Sequence, residues 1–159
     1  MRKFVNDDVV NDGQGSHLRH LIEVDGVSPT DICVIYNGSA NRILESKLKP
    51  RLAEFGIELS FQKNRSFERQ SNTLIATTPH SYKGYESEVV VFPCVDHYVA
   101  PAGKLVANGL YVAMTRARSL LAIYGASGGL EANRKVVDTI AACIQAQRTR
   151  SAIDVEEHE

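Results

Sequence analysis

The sequence predicts an α/β domain: a mostly parallel sheet covered by helices on both faces. Three observations predict it. The runs "DICVIY", "TLIAT", "EVVVF" and "LLAIYG" are apolar throughout, as strands buried on both faces are. Segments with helical apolar spacing lie between several of these runs, as parallel connections require. The chain has 159 residues, of which 43% are hydrophobic and 23% charged. That is enough for one core and too little for two ordinary domains.

The elements follow in order. Residues 1–15 form a polar segment with Gly13 and Gly15 near its end, and the domain proper is expected over residues 16–147. "SHLRHLIEV" places Leu18, Leu21 and Ile22 on one helical face, with Ser16 as its expected N-cap. "SPTD" signals a turn, and "DICVIY" reads as a buried strand. Ser39 is expected to cap a helix whose apolar face is Ala40, Ile43, Leu44, Leu48 and Leu52. Pro50 is expected to kink or split it, lacking an N–H and clashing with the preceding turn. Gly56 fits the helix end, and "IELSF" alternates as a strand. Residues 62–72 are polar and read as loop.

Three strand-like runs follow, and between the last two lie the loop "VDHYVAPAGK" and a helix around "NGLYVAMTRAR". A last helix is expected from about Leu130 to Ala146, then an acidic, frayed tail over residues 148–159. Ligand chemistry in parallel sheets gathers beyond the C-terminal ends of the strands. The loops after Thr78 and Phe92 are therefore where a site is expected.

Composition bounds the partners. A net charge of −1 gives no global basic field, so any nucleic-acid contact rests on a local patch. Cys33, Cys94 and Cys143 are odd in number, far apart and in apolar surroundings. They read as buried thiols of a reduced, cytoplasmic protein, neither a zinc set nor a disulfide framework. No apolar run reaches the roughly 18 residues of a membrane span, and the start "MRKFVNDDVV" lacks the apolar core of a signal peptide. His17 and His20 sit at i, i+3, which reads as a solvated helix surface rather than a metal pair.

Two stretches carry chemistry. "TPHSYKGYESEVVV" resembles the motif T-x-H-x-x-K-G-x-E-x-x-x-V of superfamily 1 helicases of the UvrD/Rep kind. "LYVAMTRAR" resembles their arginine-finger motif. "DICVIYNGSANRILESKL" is similar to the family's strand and helix that begin "DIAVLYR" and continue "SRxLE". The resemblance runs from about residue 16 to residue 125 with the pieces in family order. It implies a RecA-like three-layer domain, the second motor domain of an ATP-dependent DNA helicase. It implies Arg116 as the catalytic finger on the transferring phosphoryl group, and Gly84 and Glu86 with Arg116 at the nucleotide. Glu86 corresponds to a residue that hydrogen-bonds the ribose. Thr78, His80 and Lys83 correspond to positions that couple nucleotide state to single-stranded nucleic acid.

The residue types suit those roles. A planar, permanently charged guanidinium stabilises charge spread over three phosphoryl oxygens. Hydroxyl, imidazole and ammonium groups are phosphate and sugar partners. Arg118 is expected on the same helix, about 200° round from Arg116, and so pointing elsewhere. Thr115 either orients the finger or packs within the helix, and Arg42 reads as an anchor of its helix to the sheet. Tyr82 and Tyr85 stand where relatives usually carry a small alanine and a leucine, and suggest an added stacking surface. Asn37 stands where many relatives have arginine.

The sequence contains no G-x-x-x-x-G-K-[ST] phosphate loop: Gly103 and Lys104 are followed by Leu105, with Tyr98 at the first glycine's place. ATP and Mg2+ therefore belong to a complete enzyme whose first motor domain is a required partner. A noncatalytic nucleic-acid or protein-binding module on the same fold is the alternative, and the presence of both Glu86 and Arg116 weighs against it.

Overall fold

The computed structural model describes residues 3–4, 13–63, 67–95, 107–125, 138–139 and 142. Its centre is one sheet of six strands: β1 (Lys3–Phe4), β2 (Ile32–Ile35), β3 (Glu58–Phe61), β4 (Thr73–Thr77), β5 (Ser87–Phe92) and β6 (Ala117–Ile123). They lie in the order β1-β6-β5-β2-β4-β3, and every pairing is parallel. Part of the polar N-terminal segment thus joins the sheet, with Lys3 opposite Ala122 and Phe4 opposite Ile123.

Alternation along each strand divides the core in two. Ile32, Val34, Tyr36, Leu74, Ala76, Val89, Val91, Ala122 and Tyr124 face one layer with Leu18, Leu44, Leu48 and Leu52. Cys33, Ile35, Ile75, Val90, Phe92, Leu121 and Ile123 face the other, with Tyr82 and Ala113. Both faces are covered, so continuous apolar runs are what these strands need. The α/β reading of the sequence is the observed fold.

The first layer is made by α1 (Gly13–Glu23) and by a helical run of three parts. These are α2 (Asn41–Ile43), a π-helical stretch (Leu44–Leu48) and α3 (Lys49–Ala53). Pro50 deforms this run without breaking it. The backbone stays right-handed helical at Ile43, Leu48 and Lys49, and the π stretch directly precedes the proline that cannot donate. Gly56, at φ +70°, ends the run as expected, and Ile57 N–H bonds back to the Leu52 carbonyl at 3.0 Å.

Both expected caps are corrected. Helix α1 starts at Gly13, so Ser16 lies inside it; the apolar spacing of Leu18 and Leu21 fixes the buried face but not where winding begins. Ser39 lies within a 3-10 turn, Gly38–Ala40, with Asn37 before it and no side-chain cap. Burial of Ala40 sets that entry.

The helix of the finger motif is also shorter than expected. It is α4 (Ala107–Met114); Thr115 and Arg116 turn, and β6 begins at Ala117. Arg118 therefore lies on a strand, not on the helix of Arg116. Pairing of Ala117 with Ser87 and of Leu120 with Val89 takes this segment into the sheet against the helical tendency of Ala and Arg. Residues 96–106, with nearly all of the expected loop "VDHYVAPAGK", Cys143, nearly all of the expected last helix and the acidic tail lie outside the described residues.

Candidate nucleotide-facing edge

All strands point the same way, so β4 ends and β5 begins at opposite edges of the sheet. Because β2 lies between them, the connection 78–86 must cross its face from the C-terminal to the N-terminal edge. Its C-terminal-edge end is tied by a short relay. Thr78 Oγ1 donates to Ser81 Oγ at 3.1 Å, and Ser81 Oγ donates to the Lys63 carbonyl at 2.7 Å. In the middle Tyr82 is buried to 1% exposure, and its hydroxyl shares a 2.5 Å hydrogen bond with Ser87 Oγ. Turns then carry the chain on: Lys83 N–H to the His80 carbonyl at 3.4 Å and Tyr85 N–H to the Tyr82 carbonyl at 3.1 Å. Gly84 has φ +92°, the left-handed region that glycine reaches without cost.

Tyr82 is thus an anchor, not the stacking surface expected from the sequence. It stands where a small residue would leave the face of β2 uncovered, and it fills that space. Phe67 lies edge-on to it with ring centroids 5.3 Å apart, and Tyr85 stacks at 5.7 Å. Tyr85 is the half-exposed member of this cluster. Burial pushes the Tyr82 hydroxyl up to about 12, with the neighbouring Cys33 adding to the rise. Burial likewise pushes the Cys33 thiol to about 12, so it stays a protonated, unreactive group. Cys33 and Cys94 are buried, as expected.

The sequence expects a site beyond the C-terminal ends of the strands, but Arg116 and Glu86 lie at the other edge of the sheet. Arg116 directly precedes β6, and its carbonyl accepts from Ser87 N–H at 3.1 Å. Glu86 directly precedes β5. Arg116 and Glu86 therefore both lie at the N-terminal edge, each directly before a strand. Thr78 stays at the C-terminal edge, one residue past β4. One segment thus spans the distance between Thr78 and Glu86.

Arg116 lies folded onto the end of α4. Its Nε donates to the Val112 carbonyl at 3.2 Å and its Nη2 to Thr115 Oγ1 at 3.1 Å. Thr115 Oγ1 in turn bonds the Tyr111 and Val112 carbonyls. Thr115 therefore contacts both the Arg116 guanidinium and the end of its own helix. Among the described residues no carboxylate pairs with Arg116.

Arg118 does the reverse. Its Nε donates to Glu86 Oε2 at 3.2 Å, and its Nη1 lies 3.5 Å from Glu88 Oε1. Ser119 Oγ donates to Glu88 Oε2 at 2.6 Å. The Ser119 hydrogen bond first, and Arg118 after it, hold the Glu88 carboxyl below its ordinary value. A third arginine, Arg69, donates through Nη1 to the Thr30 carbonyl and through Nη2 to the Glu86 carbonyl at 3.3 Å. It joins the starts of β2 and β5. Arg69, Glu88 and Ser119 are absent from the sequence reading. Glu86 and Glu88, two apart at the head of a strand, were the available signal; nothing local marked Arg69.

The remaining candidates stay outside this edge. His80 and Lys83 are exposed on the crossing loop. His17 is hydrogen-bonded to the buried Tyr124 hydroxyl, and His20 lies 3.7 Å from Asp25. Among the described residues no cluster of His, Cys, Asp and Glu could hold a metal ion. Arg42 is exposed, not buried as a sheet anchor, because it points away from the face that carries Leu44 and Leu48. No described helix is long and apolar enough to cross a membrane.

Residues 73–124, which contain both motifs, match the family model of the UvrD-like helicase C-terminal domain. No curated protein sequence matches the chain. Among solved structures, the fold is similar to the C-terminal domain of a possible DNA helicase from Lactobacillus plantarum WCFS1. That similarity has a TM-score of 0.56 at 16% identity and covers 85% of this chain and 78% of the other. The resemblance first read from two motifs thus holds at both levels: residues 73–124 match the UvrD-like helicase C-terminal domain family, and the sheet that carries them has the fold of a helicase C-terminal domain.

Proposed function

We propose that the chain is the second motor domain of an ATP-dependent superfamily 1 DNA helicase. In this reading Arg116 is the arginine finger, Gly84 and Glu86 approach the nucleotide, and Thr78, His80 and Lys83 face single-stranded DNA. ATP and Mg2+ are held mainly by a first motor domain that bears the phosphate loop, and hydrolysis occurs between the two domains. Such an enzyme acts in the cytoplasm.

The observation that carries the reading is the state of Arg116. Its guanidinium is held by a carbonyl and a hydroxyl yet has no carboxylate partner among the described residues. A surface arginine with only a structural role gains from pairing with an acid. A finger must keep its charge for an incoming phosphoryl group. Glu86, at the head of the neighbouring strand, places a hydroxyl acceptor at the same edge. A noncatalytic module needs neither.

Reconstitution tests this. The chain alone should hydrolyse no ATP above background, since it lacks the lysine-bearing loop that cradles the β and γ phosphates. Joined to the first motor domain, it should restore DNA-stimulated hydrolysis. Turnover by the purified chain alone, lost in Arg116→Ala, defeats the half-site assignment.

A further inference from the structure

We infer that Arg118 is a positioning residue for nucleotide binding: it orients the Glu86 carboxylate and acts through it. The inference rests on the proposed nucleotide role of Glu86. It begins with a residue held twice. Arg69 fixes the Glu86 main chain by its carbonyl, and Arg118 fixes the side chain by Oε2. Glu86 Oε1 has no hydrogen bond among the described residues. A carboxylate held by one oxygen, with the other open, is set to accept from a hydroxyl-bearing ligand.

Arg118 is itself held. Its second contact, to Glu88, is braced by the 2.6 Å hydrogen bond from Ser119. The guanidinium therefore bridges two carboxylates at the head of β5, and its fork geometry suits that better than a single ammonium does. Neither Arg118 nor Glu86 is buried, at 62% and 49% side-chain exposure. Exposed pairs contribute little to stability. What such an arrangement supplies is orientation, and it does so next to the arginine read as the finger. The two arginines of "TRAR" thus have opposite states: among the described residues Arg116 pairs with no acid, and Arg118 is occupied by two of them.

The test is steady-state ATP hydrolysis by the complete two-domain motor at saturating single-stranded DNA. It compares Glu86→Gln, Arg118→Ala, Arg118→Lys and the double variant E86Q/R118A. Arg118→Ala should raise KM for ATP about twofold to fivefold, in keeping with one exposed charge pair, and change kcat less than about twofold. Arg118→Lys, which keeps the charge and loses the fork, should recover part of that KM. In the double variant, R118A should add nothing to the effect of E86Q, because it has no carboxylate left to orient.

The outcomes separate cleanly. A raised KM in E86Q beside an unchanged KM in R118A overturns the inference while sparing the role of Glu86. Full additivity in the double variant also overturns it, since Arg118 then acts by another route. A wild-type KM in E86Q overturns the nucleotide role of Glu86 and the inference together. A collapse of kcat in R118A makes Arg118 the finger and refutes positioning.

Discussion

The largest effect the proposed function assigns to one side chain is that of Arg116 as the finger. An arginine finger accounts for roughly a thousand- to hundred-thousand-fold in rate, about 4 to 7 kcal/mol of transition-state stabilisation. Arg116→Ala in the two-domain motor should therefore abolish hydrolysis and unwinding while nucleotide binding survives, as most ground-state phosphate contacts lie on the other domain. Arg116→Lys should not restore turnover, because a point ammonium cannot reproduce the planar fork. Single-turnover hydrolysis alongside nucleotide binding decides this; turnover near wild type in Arg116→Ala rules the finger out. The sequence marked Arg116 through its motif, but it misjudged Arg118. Helical spacing made Arg118 a bystander on one helix, whereas pairing with β5 places it on β6 with Glu86 and Glu88 as partners. A contact between strands 32 residues apart in sequence has no local signature.

The crossing loop 78–86 is the element on which both halves of the proposed site depend. Its conformation rests on one glycine and one tyrosine. At Gly84 a Cβ would meet nothing within 4 Å, so the φ of +92° is the only obstacle to substitution. Gly84→Ala should cost about 1 to 2 kcal/mol in a denaturant titration. Gly38→Ala, equally uncrowded and without positive φ, should be neutral or slightly stabilising. Equal losses at both positions would show that backbone handedness is not what Gly84 supplies.

Tyr82 gives the same loop a pH signature. Tyr82 and Cys33 rise to about 12 from ordinary values of 10.0 and 9.0, chiefly by burial. Above pH 9 the unfolded chain releases these protons while the fold retains them, so stability is intact below that pH and falls as pH climbs toward 12. Tyr82→Phe should lower the thermal midpoint at neutral pH, leaving the buried Ser87 hydroxyl unpaired at about 1 to 3 kcal/mol. It should also make the alkaline fall shallower. Melting curves of both proteins from pH 7 to pH 11 measure this, and an unchanged alkaline slope would remove Tyr82 from the linkage. Motif comparison marked Tyr82 as a departure and suggested an exposed stacking surface there. Its burial follows from the crossing over β2, which strand order decides and local sequence does not.

On the scale of the whole molecule, direction is what the sheet supplies. Continuous apolar runs made the parallel, doubly covered sheet legible, since strands buried on both faces have no polar face to show. The edge that holds Glu86 and Arg116 was not legible, because the general rule favours C-terminal ends and these residues directly precede strands. The result is a domain with its two proposed functions on one connected segment, the candidate DNA contacts beginning at Thr78 and the nucleotide contacts ending at Glu86. If that division holds, the two sets should respond differently to salt. With a net charge of −1 and Lys83 as the one permanent cation among Thr78, His80 and Lys83, the chain should bind single-stranded DNA weakly. Each neutralised phosphate contributes about −0.7 to the slope of log K against log salt. Lys83→Ala should therefore reduce the measured slope by about 0.7. Arg116→Ala should leave it unchanged, because that guanidinium belongs to the opposite function. Fluorescence-anisotropy titrations with oligo-dT at several salt concentrations provide the slopes. Should Arg116→Ala flatten the dependence while Lys83→Ala does not, the DNA lies along the N-terminal edge and the two halves of the site must be exchanged.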